Sequence, residues 1–367
     1  MSNKIVYIDA DTLKSFMKDV FESLGVPEQD AEICADVLIT SDLRGIESHG
    51  IQRMKMYYDR IKAGIYNTKT EIKIIKEDPA TALIDGGDGM GHVIAYKAME
   101  LAIKKAKEYG VGAVAVRNST HFGIAGYYSL MAIKEGMIGL AVTNARPSQP
   151  PTFGVEPMLG TNPLTAGAPT DEDFPFLIDC ATSIIQRGKV EVNDRIKKPL
   201  PEGVVLNNQG EYETDPTKVL KDLANKTAAL LPLGGRGEKT GGHKGYGYAT
   251  LVELLSAALQ DGIYLRDTIG IEKDGRKYLK VGHFFLAINI ESFLSLGTFK
   301  KVAGNIMRDL RSSKKAPGQE RIYTAGEKEF DAENERKKVG IPINESIQND
   351  IKIMKEEQGL TQYKFPF

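Results

Sequence analysis

The chain has 367 residues, of which 41% are hydrophobic and 26% charged, and its formal net charge is −1. This length exceeds what one hydrophobic core usually covers, so we expect two or three packed units. The near-zero net charge gives no electrostatic reason to expect nucleic acid or an acidic membrane as a partner. No apolar run reaches the roughly 18 residues of a membrane span. The two cysteines, Cys34 and Cys180, lack CxxC spacing, and we expect a soluble protein of the reducing cytoplasm.

Helical periodicity begins near the start of the chain. Apolar residues recur at helical spacing from Leu13 to Leu24, with Asp11 placed to cap the start of the helix and Gly25 its end. Further helices are predicted over 28–42, 51–63, 124–135 and 246–259, and strands over 71–75, 82–85, 111–116, 138–143, 176–179 and 283–290. The run 111–144 therefore has the strand–helix–strand pattern of a βαβ unit.

These elements predict an α/β (mixed α+β) protein. We expect an N-terminal helical domain over 1–75, completed by the helical, charged segment 295–367. A central α/β domain is expected over 76–294. Within it, residues 193–210 carry basic and proline residues and are predicted to form a surface excursion.

Five histidines are present, and imidazole is the side chain best suited to exchange a proton near neutral pH. His121 lies in Arg117-Asn-Ser-Thr-His-Phe-Gly123, directly after a predicted strand. Ligands of α/β proteins collect at the carboxyl ends of strands, although an ordinary polar turn explains the pattern as well. His92 and His283 are predicted to be structural.

A second candidate histidine, His49, follows Ser48 and precedes a predicted helix. If that helix includes His49, then His49, Arg53 and Tyr57 fall at i, i+4 and i+8 on one face. The planar fork of arginine matches a carboxylate, which suits an acidic substrate. A solvated helix face capped by Ser48 is the more ordinary interpretation.

The glycine-rich segment Gly241-Gly-His-Lys-Gly-Tyr-Gly247 precedes another predicted helix. A helix N-terminus together with Lys244 could bind a phosphate, and a flexible glycine loop is equally compatible with the segment. The motifs G-x-G-x-x-G, G-x-x-x-x-G-K-[ST], H-E-x-x-H and G-x-S-x-G are absent, as is zinc spacing of Cys and His. The residues alone thus predict acid/base histidines, no metal site, and a cofactor site of unfamiliar type.

Several blocks along nearly the whole chain carry a resemblance to a known family. They are Asp42-Leu-Arg-Gly-Ile-Glu-Ser-His-Gly50, Arg117 to Gly123, Leu159-Gly-Thr-Asn-Pro163, Leu177 to Ser183, Gly241 to Gly247 and Gly326-Glu-Lys328. In these blocks the sequence resembles the malate/L-lactate dehydrogenases that are unrelated to Rossmann-type enzymes. That family also includes sulfolactate, ureidoglycolate and diketogulonate dehydrogenases and a cyclic-imine reductase. The blocks His121-Phe-Gly123 and Asn144-Ala-Arg-Pro147 look closest to the malate branch.

The resemblance implies a non-Rossmann fold that binds NAD or NADP, with no preference readable between them. It implies hydride transfer to or from a small 2-hydroxy or 2-oxo acid, with malate and oxaloacetate as the best candidates. It also implies a homodimer with the active site near the subunit interface. Two alternatives stay open: a cyclic-imine or ureidoglycolate-type enzyme on the same scaffold, and a nucleotide-binding regulator that has lost catalysis.

Roles for individual residues also follow from the resemblance. His121 matches the acid/base histidine, and Ser48 and His49 match a pair that is also credited as proton donor or orienter, so either histidine could be the principal acid/base. Arg53 and Tyr57 match substrate-contacting positions, and Arg146 a position that tunes substrate choice. Cofactor-binding positions are Asn144, Ala145, Asp179, Cys180, Ala181, Thr182, Ser183, Lys244, Gly326, Glu327 and Lys328. Cys180 departs from the D-M-A-T common in relatives.

Overall fold

The computed structural model describes residues 5–367 as a mixed α/β protein. The helices of this part of the chain are α1 (Ala10–Ser23), α2 (Glu28–Leu43), α3 (Ile51–Lys62), α4 (Gly91–Tyr109), α5 (Gly126–Lys134), α6 (Arg187–Arg195), α7 (Pro216–Asn225), α8 (Gly242–Ser256), α9 (Leu296–Ser312), α10 (Glu327–Val339) and α11 (Glu345–Glu357). The strands are β1 (Val6–Ile8), β2 (Lys73–Glu77), β3 (Thr81–Asp85), β4 (Val111–Ser119), β5 (Met137–Thr143), β6 (Leu164–Ala168), β7 (Phe176–Cys180), β8 (Val205–Asn207), β9 (Ala228–Leu230), β10 (Ile271–Lys273), β11 (Arg276–Tyr278), β12 (Val281–Asn289) and β13 (Ile341–Ile343). None of the helices in residues 5–367 is long and apolar enough to cross a bilayer.

The first helix is capped by a different aspartate from the one predicted. Asp9, not Asp11, is the N-cap, and its Oδ2 accepts from the Thr12 N–H at 2.9 Å. The cap lies in non-helical backbone just before the first helical residue, and Asp11 is already inside the first turn. Gly25 follows the helix with φ of +89°, as predicted for a left-handed residue after a helix C-terminus.

One hydrophobic core joins the two ends of the chain. It packs α1, α2 and α3 against residues of β13 and α11, among them Ile343 and Ile351, and β1 pairs antiparallel with β13. The helical domain built from both termini stays a prediction. Lys73–Glu77 belongs instead to the large sheet, and α9 is tied to the sheet region by Arg308, which pairs with Asp171.

A seven-stranded sheet forms the second unit, in the order β2-β3-β4-β12-β5-β6-β7. Only β3 and β4 are parallel neighbours, and all other neighbouring pairs are antiparallel. The predicted strand–helix–strand segment is present as β4, α5 and β5, but β12 lies between its two strands. The sheet is therefore mixed, unlike the parallel doubly wound sheet of Rossmann enzymes.

Helices α4 and α5 cover this sheet and share a core with it. The sequence interpretation missed α4 altogether, because much of its buried face consists of small residues whose periodicity is weak. These are Ala95, Ala98, Ala102 and Ala106. Alanine is the strongest helix former but adds little to an amphipathic pattern.

The prediction that 193–210 is a surface excursion is wrong. Leu200, Val204 and Val205 are buried, and they form a small third core with Val219 of α7 and Leu230 of β9. The basic and proline residues of the segment obscured a short apolar strand, β8. Apolar burial of this size is enough to hold a small satellite unit.

Two buried histidines of the core differ sharply in their hydrogen bonds. His283 bonds through Nδ1 to Thr143 Oγ1 at 2.8 Å and through Nε2 to Ser119 Oγ at 2.7 Å. Neither ring nitrogen of His92 has a partner within residues 5–367. Burial lowers the pKa of both rings to about 3, so both are neutral at pH 7.

We expect His283→Leu to lower the free energy of unfolding by about 2 kcal/mol or more, because Ser119 and Thr143 then lose a buried partner. His92→Leu should change stability at pH 7 by less than about 1 kcal/mol, since it breaks no hydrogen bond.

Below pH 6.5 the His92 side chain of the unfolded chain binds a proton that the buried ring does not bind, so the free energy of unfolding falls as the pH falls. The His92 variant should therefore lose less stability than wild type between pH 6.5 and 5. Urea unfolding of wild type and of the two variants measures these free energies. Equal losses of stability for the His283 and His92 variants at pH 7 would contradict the prediction.

Candidate active site

The two candidate histidines lie against each other. His121 follows β4, and its ring stacks on that of His49 with centroids 5.6 Å apart and planes 18° apart. His49 belongs to a 3₁₀ turn, Glu47–His49, and α3 begins only at Ile51. The condition that one helix includes His49, Arg53 and Tyr57 is thus not met, yet the turn still brings His49 to the same site.

Each histidine is held by a hydroxyl group at Nδ1. The Tyr57 hydroxyl lies 2.5 Å from Nδ1 of His121, and Ser48 Oγ lies 2.8 Å from Nδ1 of His49. No protein partner is present for either Nε2 in the described part of the chain. Since Nδ1 and Nε2 lie on opposite edges of an imidazole, both rings keep Nε2 for another molecule.

Arg53 lies beside this pair without an acidic partner. Its Nε donates to the Ser48 carbonyl at 3.0 Å, and no carboxylate within residues 5–367 reaches it at ion-pair distance. Arg60 also has no carboxylate at ion-pair distance within residues 5–367, and it donates to the Tyr66 hydroxyl. Sequence reasoning missed Arg60 and Tyr66, although Arg60 follows Arg53 by seven residues and so shares its helical face.

The local charge is positive and the histidines are neutral. Burial, and then the charge of Arg53, lower the pKa of His49 to about 4. The pKa of His121 is well below its ordinary value because of burial, His49 and Arg53, in that order. Arg146 lies near the same groups, and its partial burial and then the charge of Arg60 lower its pKa. Such a site favours an anion.

A buried carboxyl group supports the turn that carries His49. Asp42 Oδ2 accepts the Ile51 N–H at 2.8 Å, at the start of α3. A Cβ on Gly50 would come within 1.9 Å of Asp42 Oδ1, so a larger residue there would displace the Asp42 carboxyl group. Burial raises the pKa of Asp42 to about 8. These contacts explain the aspartate and glycine at the ends of the block 42–50.

Among the predicted cofactor positions, 144 and 145 have their polar groups committed within the protein. Asn144 Oδ1 accepts the Gly282 N–H at 2.9 Å, and its Nδ2 donates to the Ile263 carbonyl at 3.0 Å. The Ala145 N–H donates to Asn162 Oδ1 at 3.1 Å. A cofactor would therefore meet these residues by packing rather than by hydrogen bonds.

The segment 179–183 carries one free carboxylate oxygen. Asp179 Oδ2 accepts the Gly126 N–H at 2.8 Å, at the start of α5, while Oδ1 has no partner in the described residues. Burial raises the pKa of Asp179 to about 6. Cys180 is half-buried and Ala181 is buried. The Thr182 and Ser183 hydroxyls donate to backbone carbonyls of Thr161 and Ile185.

The glycine-rich segment begins α8. Cβ atoms on Gly242 and Gly245 would come within 1.9 Å of the Gly235 carbonyl oxygen and 2.2 Å of the Leu233 carbonyl oxygen. These two glycines thus serve close backbone packing within the protein. Lys244 is exposed and forms no ion pair within residues 5–367.

The segment 326–328 lies at the other end of β7 from Asp179. The Leu177 N–H donates to the Ala325 carbonyl at 3.2 Å. Glu327 is buried and paired with Arg311 and Arg321, and Lys328 lies over the Tyr323 ring. From Phe176 to Cys180 the strand β7 rises roughly 13 Å.

The donor set fits a dinucleotide better than a metal. Lys244 and Asp179 Oδ1 offer free groups of the kinds that bind a phosphate and a ribose hydroxyl. In residues 5–367, no group of three or more His, Cys, Asp or Glu side chains is arranged to hold a metal ion.

Known proteins match this chain over nearly its whole length. The family model of malate/L-lactate dehydrogenase matches residues 8–352. A malate dehydrogenase of Pyrococcus abyssi is 47% identical over 97% of this chain and 96% of its own, and an L-sulfolactate dehydrogenase of Methanocaldococcus jannaschii is 42% identical over 95% and 96%. The crystal structure of malate dehydrogenase from Entamoeba histolytica superposes with a TM-score of 0.95 at 44% identity, over 99% of this chain and 100% of that one.

Proposed function

The chain belongs to the malate/L-lactate dehydrogenase family, and on that premise we propose that it interconverts malate and oxaloacetate with a nicotinamide cofactor. The proposal rests on one observation: the Arg53 guanidinium has no acidic partner within the described residues and lies beside two neutral histidines. A small acid supplies the missing carboxylate. The malate dehydrogenase relatives at 46–47% identity favour malate over the ureidoglycolate and cyclic-imine alternatives.

Arg53 would bind the substrate carboxylate next to the reacting carbon. Its Nε is committed to the Ser48 carbonyl, which leaves the two terminal nitrogens for a bidentate pair with a carboxylate. Arg60 and Arg146 add positive charge for a second acidic group. A dianion is therefore favoured over a monoanion such as pyruvate.

His121 would exchange the proton at the C2 oxygen through Nε2. When bound, the nicotinamide supplies or accepts the hydride at C2 of the acid. In malate oxidation, neutral His121 accepts the hydroxyl proton, and in oxaloacetate reduction its protonated form returns that proton. Because an anionic substrate offsets the charge of Arg53, substrate binding raises the pKa of His121 and makes proton uptake easier.

For the cofactor we propose NAD or NADP, held near Asp179–Ser183, Lys244 and Gly326–Lys328, with Asn144 and Ala145 packed against the nicotinamide end. The free Lys244 ammonium suits the pyrophosphate and the free Asp179 oxygen a ribose hydroxyl. Comparing the oxidation rates of NADH and NADPH separates NAD from NADP.

The proposed activity is tested by following NADH and NADPH oxidation with oxaloacetate, pyruvate, sulfopyruvate and a cyclic imine. We expect the highest kcat/KM with oxaloacetate. A higher kcat/KM with sulfopyruvate would make the protein a sulfolactate dehydrogenase, and preference for the cyclic imine would reject the proposal. No turnover with any of the four would also reject it.

We also propose a homodimer that functions in the cytoplasm. Exposed apolar side chains line one face of α8, namely Tyr248, Leu251 and Leu254, at 47–54% exposure. Such a contiguous patch is typical of a protein interface. Cys34 and Cys180 form no disulfide, which suits a reducing compartment.

Light scattering at micromolar concentration should thus give twice the mass of one chain. Leu254→Glu is expected to shift the protein toward the monomer, because a charge on the α8 face would be buried without a partner. Val339→Glu, at 51% exposure on the last residue of α10, is the matched control and should stay dimeric. A wild-type mass equal to one chain would refute the dimer.

A further inference from the structure

Tyr57 does not line the space that a substrate would enter. Its side chain is 0% exposed, and its ring packs against Phe21, Tyr66 and His92 at centroid distances of 6.3, 6.4 and 4.6 Å. Within residues 5–367, the hydrogen bond of its hydroxyl goes to His121 Nδ1. The phenol therefore lies behind His121, on the side opposite the free Nε2.

We propose that Tyr57 is a positioning residue that acts on the substrate through His121, by fixing the orientation of that imidazole and by accepting a hydrogen bond from Nδ1 whenever Nδ1 carries a proton. This inference rests on the proposed acid/base role of His121. It replaces the direct substrate contact that the sequence resemblance implies for Tyr57. The same arrangement recurs at His49, where Ser48 holds Nδ1.

The proton balance of the reaction requires an acceptor at Nδ1. When malate is oxidised, its hydroxyl proton moves to Nε2 of neutral His121 while hydride leaves C2 for the cofactor. His121 must start with its own proton on Nδ1, because Nε2 has to offer a lone pair. The imidazolium formed then carries N–H groups at both nitrogens, and reduction runs the same steps backward. In both states Nδ1–H needs an acceptor.

The Tyr57 hydroxyl can donate to Nδ1 when that nitrogen is bare and can accept from it when it is protonated, and it is the acceptor that the described residues offer there. The other group facing Nδ1 is the Gly123 N–H, at 3.4 Å, and it can only donate. Without the phenol, that donor would favour the tautomer with its proton on Nε2, which cannot act as a base. Burial raises the pKa of Tyr57 well above its ordinary value, so the phenol keeps its own proton throughout.

A hydroxyl group at this position differs from the carboxylate that often orients a histidine. A carboxylate would hold His121 in its charged form and would cancel part of the positive charge at Arg53. The neutral phenol orients the ring and leaves that charge available for an acidic substrate. The choice of tyrosine is thus consistent with a site that binds anions.

Tyr57→Phe tests the inference, because it keeps the buried ring and removes only the hydroxyl. We expect kcat to fall about 10- to 100-fold in both directions, the effect of orphaning one buried N–H. The KM for the 2-oxo acid and the cofactor Kd should stay within about twofold. Tyr58→Phe is the matched control: Tyr58 is also buried, but its hydroxyl bonds to Glu357 and Gln358, away from His121.

The comparison uses whichever acid of the panel the wild-type enzyme reduces best, so its outcome is independent of the malate assignment. A raised KM with unchanged kcat would mean that Tyr57 touches the substrate, and equal kcat values for wild type and variant would also overturn the proposal. The ¹⁵N resonances of the wild-type His121 ring give a second measurement without substitution. In a complex with reduced cofactor and malate, we expect the proton on Nδ1, and a proton on Nε2 alone would reject the inference.

Discussion

His121→Gln is expected to lower kcat for malate oxidation at least about 100-fold, the usual lower bound for losing a general base. Glutamine can still hydrogen-bond at the position of the imidazole but cannot bind and release a proton near neutral pH. Since Tyr57 and the stacked His49 surround the His121 position from other sides, we expect the fall in kcat to come from the lost proton transfer and not from a change of structure. Stopped-flow and steady-state rates with saturating cofactor measure it.

Two controls make this result specific. His243→Gln removes an exposed histidine of the glycine-rich segment and should leave kcat unchanged. His49→Gln separates the two stacked rings: if His49 were the principal acid/base, its loss would exceed that of His121→Gln. Turnover of the His121 variant within a few-fold of wild type would remove His121 from the proton-transfer role.

Arg53→Lys is expected to raise the KM for the 2-oxo acid strongly, by about tenfold or more, while the cofactor Kd stays near that of wild type. Lysine keeps the positive charge but lacks the planar fork that pairs with both carboxylate oxygens. It also lacks the Nε that anchors Arg53 to the Ser48 carbonyl at 3.0 Å. Steady-state kinetics measures the KM for the 2-oxo acid, and a separate cofactor titration measures the cofactor Kd.

The matched change is Arg236→Lys. Arg236 is likewise without a carboxylate partner among residues 5–367, and it donates to the Gly210 carbonyl away from the histidines. Its replacement should leave KM unaltered. If Arg53→Lys also leaves KM unaltered for every active substrate, the carboxylate is bound elsewhere, and Arg146 is the next residue to replace.

Local sequence patterns predicted much of the fold. Apolar spacing and Gly25 predicted α1 to within two residues of its ends, although Asp9 and not Asp11 caps it, and the predicted bounds of α2 and α3 lie within one residue of the observed ones. The pattern failed where long-range packing decides the outcome. The alanine-rich face of α4 and the short strand β8 became visible only through what they pack against.

The candidate active site was also predictable from the sequence only in part. Ser48, His49, Arg53 and His121 were identifiable by residue type and motif, and the structure brings them together. No spacing in the sequence could reveal that Tyr57 lies behind His121, because residues 57 and 121 meet only when α3 packs beside the end of β4. Arg60 was within reach of helical spacing and was overlooked.

The position of β12 bears on how the protein is made. Residues 144–280 separate β5 from β12, although β12 lies between β4 and β5 in the sheet. On the ribosome, β4, α5 and β5 emerge long before their shared neighbour, and they already have the order of an ordinary right-handed crossover. Any early pairing of β4 with β5 would have to open again to admit β12. Strand pairing over such separations is slow, so His121, which directly follows β4, should reach its final surroundings only after residue 289 has been synthesised.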